Sequence, residues 1–286
     1  MENTRVSTTH GYGLLGAVVL VALNLRPSMA AVGPLLSAIR GDVPLSFGMA
    51  SLLTMLPVMA MGAAMFTGMR VAQWLGAYRT LAFPLLAIGI ATLSRLWLDS
   101  ALQLILSAML AGVGIALIQA LMPVLIKSRF SHNVSLCMGL YVTSIMGGAA
   151  LAASFSPLVL GRTGSWRAGL AIWAVLAVVG LLIWIGQRSV AVPPAPAQPP
   201  SASGRKSIFR IPRAWTLGLF FGLGTASYTC VLAWLAPYYV EQGWSEQNSG
   251  LLLGFLTTME VLSGLVAPAV ANRSRDRRAV IAVLLT

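Results

Sequence analysis

The sequence predicts an all-α membrane protein on three observations. Of its 286 residues, 57% are hydrophobic and only 9% charged, whereas about a quarter of a soluble domain is charged. The apolar residues gather into eight stretches, at about 12–36, 47–69, 78–96, 101–126, 134–158, 166–187, 213–240 and 246–270. A helix needs roughly 20 such residues to cross a hydrocarbon core, and each stretch is of that order. The cations lie between the stretches and alternate in density. Arg5, Arg70, Arg79, Lys127, Arg129, Arg188, Arg205, Lys206, Arg210, Arg213, Arg273, Arg275, Arg277 and Arg278 fall on the side of the amino terminus, against Arg40, Arg95, Arg162 and Arg167 on the other. Loop bias of this kind orients a helical bundle, so the amino terminus is expected in the cytoplasm. The net charge of +12 is thereby explained without nucleic acid, because no basic face on a soluble fold is formed.

Taken in order, Met1 to Gly11 has no small-residue cleavage site, and the first stretch reads as a retained span. Six spans lead to residue 187. The segment 188–212 carries Val192-Pro193-Pro194-Ala195-Pro196-Ala197-Gln198-Pro199-Pro200, a proline density that favours extended, unpacked chain. Two more spans follow, and a ninth apolar run from Ala279 stops at Thr286, too short to cross. The expected organisation is a six-helix bundle over 1–187, a cytoplasmic linker over 188–212, and an incomplete second bundle over 213–286. A weak internal repeat agrees with the division. Ser46 opens span two and Ser245 opens span eight, each suited to capping a helix, and each follows a span with a proline near its end, Pro34 and Pro237.

One position stands apart. Asn24-Leu25-Arg26-Pro27 puts a guanidinium near the middle of span one. Central arginine costs about 3 kcal/mol on insertion scales, so such a residue faces a protein interior or a wet cavity. Pro27 removes a helix hydrogen bond beside the charge. Arg26 is therefore expected to meet an anion or a strongly polar solute. Glu260, in span eight, is the other ionisable residue at depth, and reads as a coupling-proton carrier or as a counter-ion for Arg26. Asn24 and Gln119 offer amides, and Tyr141 and Tyr228 offer hydroxyls, to line a pocket. Asn24 precedes Arg26 by two residues, about 200° around a regular helix, so the pair shares one solute only if Pro27 distorts the span.

Other residues read as structural. Gly112, Gly114, Gly139, Gly147 and Gly148 suit close helix approach, and no nucleotide-binding pattern accompanies them. Cys137 and Cys230 are far apart, and His10 and His132 have no metal spacing, so neither a metal nor another cofactor is expected. Trp97, Trp166, Tyr239 and Trp244 fall at span ends, where interfacial anchoring accounts for them.

Several motifs together resemble a known family. They are Asn24-Leu25-Arg26-Pro27; Gly112-Val113-Gly114-Ile115-Ala116 leading through Gln119 to Met122-Pro123-Val124-Leu125-Ile126-Lys127; Met138-Gly139-Leu140-Tyr141; Ser165-Trp166-Arg167; and Pro212-Arg213-Ala214-Trp215-Thr216-Leu217-Gly218. The chain resembles the cyanate transporter branch of the major facilitator superfamily, which also holds nitroimidazole exporters. The resemblance runs from about Val21 to Arg278. It implies twelve spans in two six-helix bundles with a solute site between them, in a bacterial inner membrane. Gln73, and Asn272 in the second half, stand where the superfamily usually carries an acid. With eight spans and a stub, the chain is expected to be a truncated form.

The expected activity is secondary transport of a small polar solute, most simply cyanate or a similar anion paired with Arg26. A second reading is proton-coupled export of nitroimidazole-like drugs, with Glu260 exchanging the proton. A third, of another class, is a truncated membrane protein or scaffold without transport. An enzyme is not expected, since no nucleophile, base and acid converge in the sequence.

Overall fold

The computed structural model describes residues 8–131, 133–187 and 211–273. Span one is not a single helix. It comprises α1 (Thr8–Leu23), a turn through 24–26, α2 (Pro27–Ala30), a 3-10 turn at Gly33–Leu35, and α3 (Leu36–Asp42). The remaining helices are α4 (Phe47–Leu75), α5 (Ala77–Ser94), α6 (Ala101–Arg129), α7 (Val134–Thr163), α8 (Trp166–Ala171), α9 (Trp173–Gly186), α10 (Pro212–Glu241) and α11 (Glu246–Arg273). Span six is α8 and α9 together.

Eight helical crossings result, but among the described residues six segments are both long and apolar enough to span a membrane. The other two crossings are α5, an 18-residue helix, and α11, of 28 residues, each of which has side chains outside the described ones. The expected ninth run and residues 188–210 of the expected linker lie outside the described residues, as do His132 and the side chains of His10, Gln73 and Asn272.

Short connections make successive crossings antiparallel, so the helix ends fall into two sets. One set, here the basic end, holds the start of α1, the α4–α5 and α6–α7 junctions and the start of α10. At the opposite end four helices begin on a serine cap. Ser46, Ser100, Ser165 and Ser245 each accept the backbone N–H three residues on, at 3.1 to 3.3 Å. Such a cap satisfies one of the donors that a helix start leaves unpaired.

Two cores hold the helices. Toward the basic end, Leu14, Val18 and Val21 pack with Leu85, Ile118, Met122, Tyr141 and Trp184, all within the first six spans. Toward the opposite end, Ala31, Leu35 and Ile39 pack with Leu53, Leu104 and Ala152, and here Leu232 and Ala236 of α10 and Leu253 of α11 join them. The six-span unit and the α10–α11 pair therefore share a core only at the opposite end. The basic half of α10 stands clear, with Leu217, Phe220, Phe221 and Leu223 exposed.

Close approaches make the seams. A side chain at Gly148 would strike the carbonyl of Leu23, which seats α7 against the end of α1. One at Gly33 would lie 2.8 Å from the carbonyl of Leu232, which seats α10 against span one. Gly112 and Gly114 serve α4 and α5 in the same way, whereas Gly139 faces open space. Cys137 is buried in the core and Cys230 is exposed on α10. Trp97 and Trp244 are exposed at helix ends as expected of anchors. Trp166 is not: it is 3% exposed and donates its indole N–H to Asp42 Oδ2 at 2.9 Å. Arg167 bridges Asp42 and Asp99 at 2.8 and 2.7 Å, which ties the far end of span one to span six and the α5–α6 loop.

Candidate functional site

The interruption of span one creates the site. Asn24 and Leu25 donate to carbonyls three residues back, those of Val21 and Ala22, and Pro27 has no N–H to continue the ladder. Arg26 caps the short α2 and lines a small pocket that encloses about 20 Å3. Ser28, Met29 and Val32 of span one share the lining with Leu53, Thr54 and Pro57 of α4, Ala108 of α6, and Thr229, Leu232 and Ala233 of α10. The pocket thus lies between the six-span unit and α10, above the closed end. That enclosed space is about the size of one water molecule.

Three of the other residues expected at the site gather around Arg26. The guanidinium lies over the ring of Tyr228, 5.3 Å from its centroid, a cation–π geometry. Tyr141 and Glu260 are both close enough to interact electrostatically with Arg26. The helices aim these side chains inward by their periodicity. Tyr141 shares a stripe of α7 with Ile145 and Gly148, and Glu260 follows Ser249, Leu253 and Thr257 along the buried face of α11. No ion pair within 4.0 Å joins Arg26 to Glu260 among the described residues. Arg26 Nε, Tyr141 Oη, Tyr228 Oη and Glu260 Oε2 are all buried without a hydrogen-bond partner.

The two amides lie elsewhere. Asn24 is buried against α9, where its side-chain nitrogen donates to Leu20 O at 2.8 Å and to Leu176 O at 3.1 Å. The turn at 24–26 does not bring it round to Arg26. Gln119 is half-buried on α6 and makes no side-chain hydrogen bond among the described residues. It follows Ala108 by eleven residues, so it shares that helix face about 16 Å nearer the basic end.

The sequence reading placed Arg95 among the loop cations, and the structure corrects this. Arg95 caps α5 at 1% exposure, donates from Nη1 to Ser28 O at 2.8 Å, and donates from Nε to Ser107 Oγ at 3.3 Å. Its Nη2 and the hydroxyl of Ser28 have no partner. The signal was present in Leu96-Trp97-Leu98, which surround the cation with apolar residues where a loop would be polar.

A bundle of membrane-crossing helices with a small pocket between two units, closed toward one end, is an architecture that suits a membrane transporter. The chain belongs to the Major Facilitator Superfamily, which it matches over residues 16–286. It is 41% identical over 272 residues to the cyanate transport protein CynX of Escherichia coli (strain K12), covering 95% of this chain and 70% of that one. It is 31% identical over 284 residues to the 2-nitroimidazole transporter of the same organism, covering 98% and 71%. The uncharacterized transporter YycB of Bacillus subtilis (strain 168) is 31% identical over 277 residues, with 96% and 67% covered. In fold the chain is similar to a crystal structure of a D-xylose-proton symporter, with a TM-score of 0.70 at 13% identity over 92% of this chain and 70% of that one. The protein is a multi-pass membrane transporter of this superfamily.

Proposed function

We propose that the chain carries a small monovalent anion of the cyanate class across the bacterial inner membrane, with Arg26 as its charge partner. The observation that carries this reading is the group of four buried polar atoms without partners: Arg26 Nε, the hydroxyls of Tyr141 and Tyr228, and Glu260 Oε2. Native proteins leave few such atoms unpaired. A short linear anion with an acceptor at each end takes one hydrogen bond from the guanidinium and others from the two phenols. Likeness to the cyanate transport protein supports the same solute class.

In this reading Glu260 is a counter-ion of Arg26; in the second reading, below, it exchanges the coupling proton. The two moving bodies are the six-span unit, 1–187, and the unit beginning at 213, with 188–212 as the connection between them. The basic end faces the cytoplasm by its excess of cations, so the pocket is closed toward the outside and the cleft beside α10 opens inward. A second reading, export of nitroimidazole-like drugs, draws on the likeness to the 2-nitroimidazole transporter. A nitro group offers two acceptor oxygens to the same guanidinium, and Tyr228 offers its ring face to the heterocycle.

Uptake of labelled cyanate into proteoliposomes tests both. A hydrogen bond to a charged group contributes roughly 1.5–3 kcal/mol, so Arg26→Ala is expected to lower uptake efficiency by about 10- to 100-fold. Uptake in Arg26→Ala equal to that of the unsubstituted protein sinks the anion reading. Cyanate-independent, pH-driven nitroimidazole efflux abolished by Glu260→Gln would favour the second.

A further inference from the structure

The interruption of span one leaves one carbonyl to be satisfied from outside the span. In a continuous helix the carbonyl of Ser28 would accept the N–H of Val32, but that N–H turns to Met29 at 3.2 Å. Arg95 supplies the missing donor through Nη1 at 2.8 Å, and its Nε is held by Ser107 Oγ, which itself donates to Leu104 O at 2.8 Å. Spans one, three and four are thus tied together two residues beyond Arg26. The guanidinium that does this is 1% exposed and has no carboxylate partner among the described residues. Burial of an unpaired cation is costly, and a neutral donor would satisfy one carbonyl at less expense. A planar fork that reaches two spans at once, however, fixes direction as well as contact.

We propose that Arg95 is a positioning residue of the transport site: by holding Ser28 O it fixes the turn that follows the interruption of span one and keeps Arg26 at the pocket. Without this donor the Ser28 carbonyl loses its partner, the 28–32 turn loosens, and the residues just before it are no longer held in place. Arg95 touches no solute in this scheme and acts through Arg26, so the inference rests on the reading of Arg26 as the anion's charge partner.

The test uses the full chain in proteoliposomes, as the unsubstituted protein and as Arg95→Met, Arg95→Lys and Ser107→Ala. Two quantities are read: the half-saturating concentration of labelled cyanate, and amide hydrogen exchange over residues 24–35. Arg95→Met is expected to raise half-saturation about tenfold, with the maximal rate per inserted molecule kept, and to speed exchange at 28–32. Arg95→Lys, which retains one donor, restores most of both, and Ser107→Ala shifts both part of the way. A purely structural arginine would lower the inserted amount and the maximal rate instead, with half-saturation unchanged, and that result overturns the proposal. Should Arg95→Met fail to insert, Ser107→Ala decides, since an unchanged half-saturation and exchange there also overturn it. If the unsubstituted protein takes up no cyanate, the functional reading fails on its own. The exchange measurement then still judges Arg95: faster exchange rescued by lysine supports the clamp, and unchanged exchange refutes it.

Discussion

Arg26, Asn24 and Arg95 lie close to one interruption in one span, and each has a different task. Arg26 is half-buried in a pocket that three other spans complete. Asn24 is committed to the carbonyls of Leu20 and Leu176. Replacing Asn24 with leucine leaves unpaired the Leu20 carbonyl, whose helical donor turns to Val21 instead, at a cost of about 1–3 kcal/mol. The expected outcome is a lower midpoint in a thermal unfolding assay of detergent-solubilised protein with unchanged half-saturation for the transported solute. The tyrosines behave in the opposite way. Their hydroxyls have no partner among the described residues, so Tyr141→Phe and Tyr228→Phe remove a buried unsatisfied group and should leave thermal stability unchanged or slightly higher. If the solute accepts those hydroxyls, each substitution raises half-saturation several-fold, by roughly the worth of one hydrogen bond. Equal binding in the two variants and the unsubstituted protein would remove the phenols from the site.

At the scale of the element, span one matters most, because two seams converge on it. Gly148 admits the backbone of Leu23, and any Cβ there meets that carbonyl directly. Gly148→Val is therefore expected to destabilise the packing of α1 on α7 by about 1–3 kcal/mol, read as a fall in the thermal midpoint. Gly33 admits the carbonyls of Leu232 and Ala233, and this seam joins the two units. Gly33→Leu holds them apart at the closed end. With Cys137 and Cys230 replaced by serine and a single cysteine placed at Ala236, a membrane-impermeant thiol reagent added outside should label Gly33→Leu faster than the glycine parent. No change in labelling would show that this contact does not seal the pocket. The serine caps belong to this scale as well. Ser100→Ala removes the acceptor for the Gln103 N–H and should cost about 1 kcal/mol in thermal stability while transport is kept.

For the molecule as a whole, the placement of its cores decides what moves. One core lies wholly within the first six spans, and the other is shared with α10 and α11 at one end. In the transport proposed above, rocking about the shared end would change access at the basic end and leave the first core intact. Arg167 reinforces the six-span unit as one body through Asp42 and Asp99. The orientation proposed from the charge bias has a direct check. Reporters active only in the cytoplasm should be active when fused after residue 75 or 130, and reporters active only outside should be active after residue 44 or 98. The reverse pattern would invert the topology and the direction in which the cleft opens.

The crossings were legible because a bilayer imposes length and apolarity on consecutive residues, a constraint written along the chain itself. Arg26 was legible for the same reason, as a cation where solvation is poor. Ser46 and Ser245 were readable as caps because a cap acts three residues away. What only the tertiary structure decided is which side chains share a space with Arg26. Tyr141, Tyr228 and Glu260 come from three other crossings, and their approach depends on how whole helices pack. Asn24 was turned away, and Arg95 drawn in, by partners 152 and 67 residues distant in sequence. Depth in the membrane is a one-dimensional property, and a string of residues carries it. Which face of a helix meets which neighbour is settled by packing in three dimensions, and for that the chain has to fold.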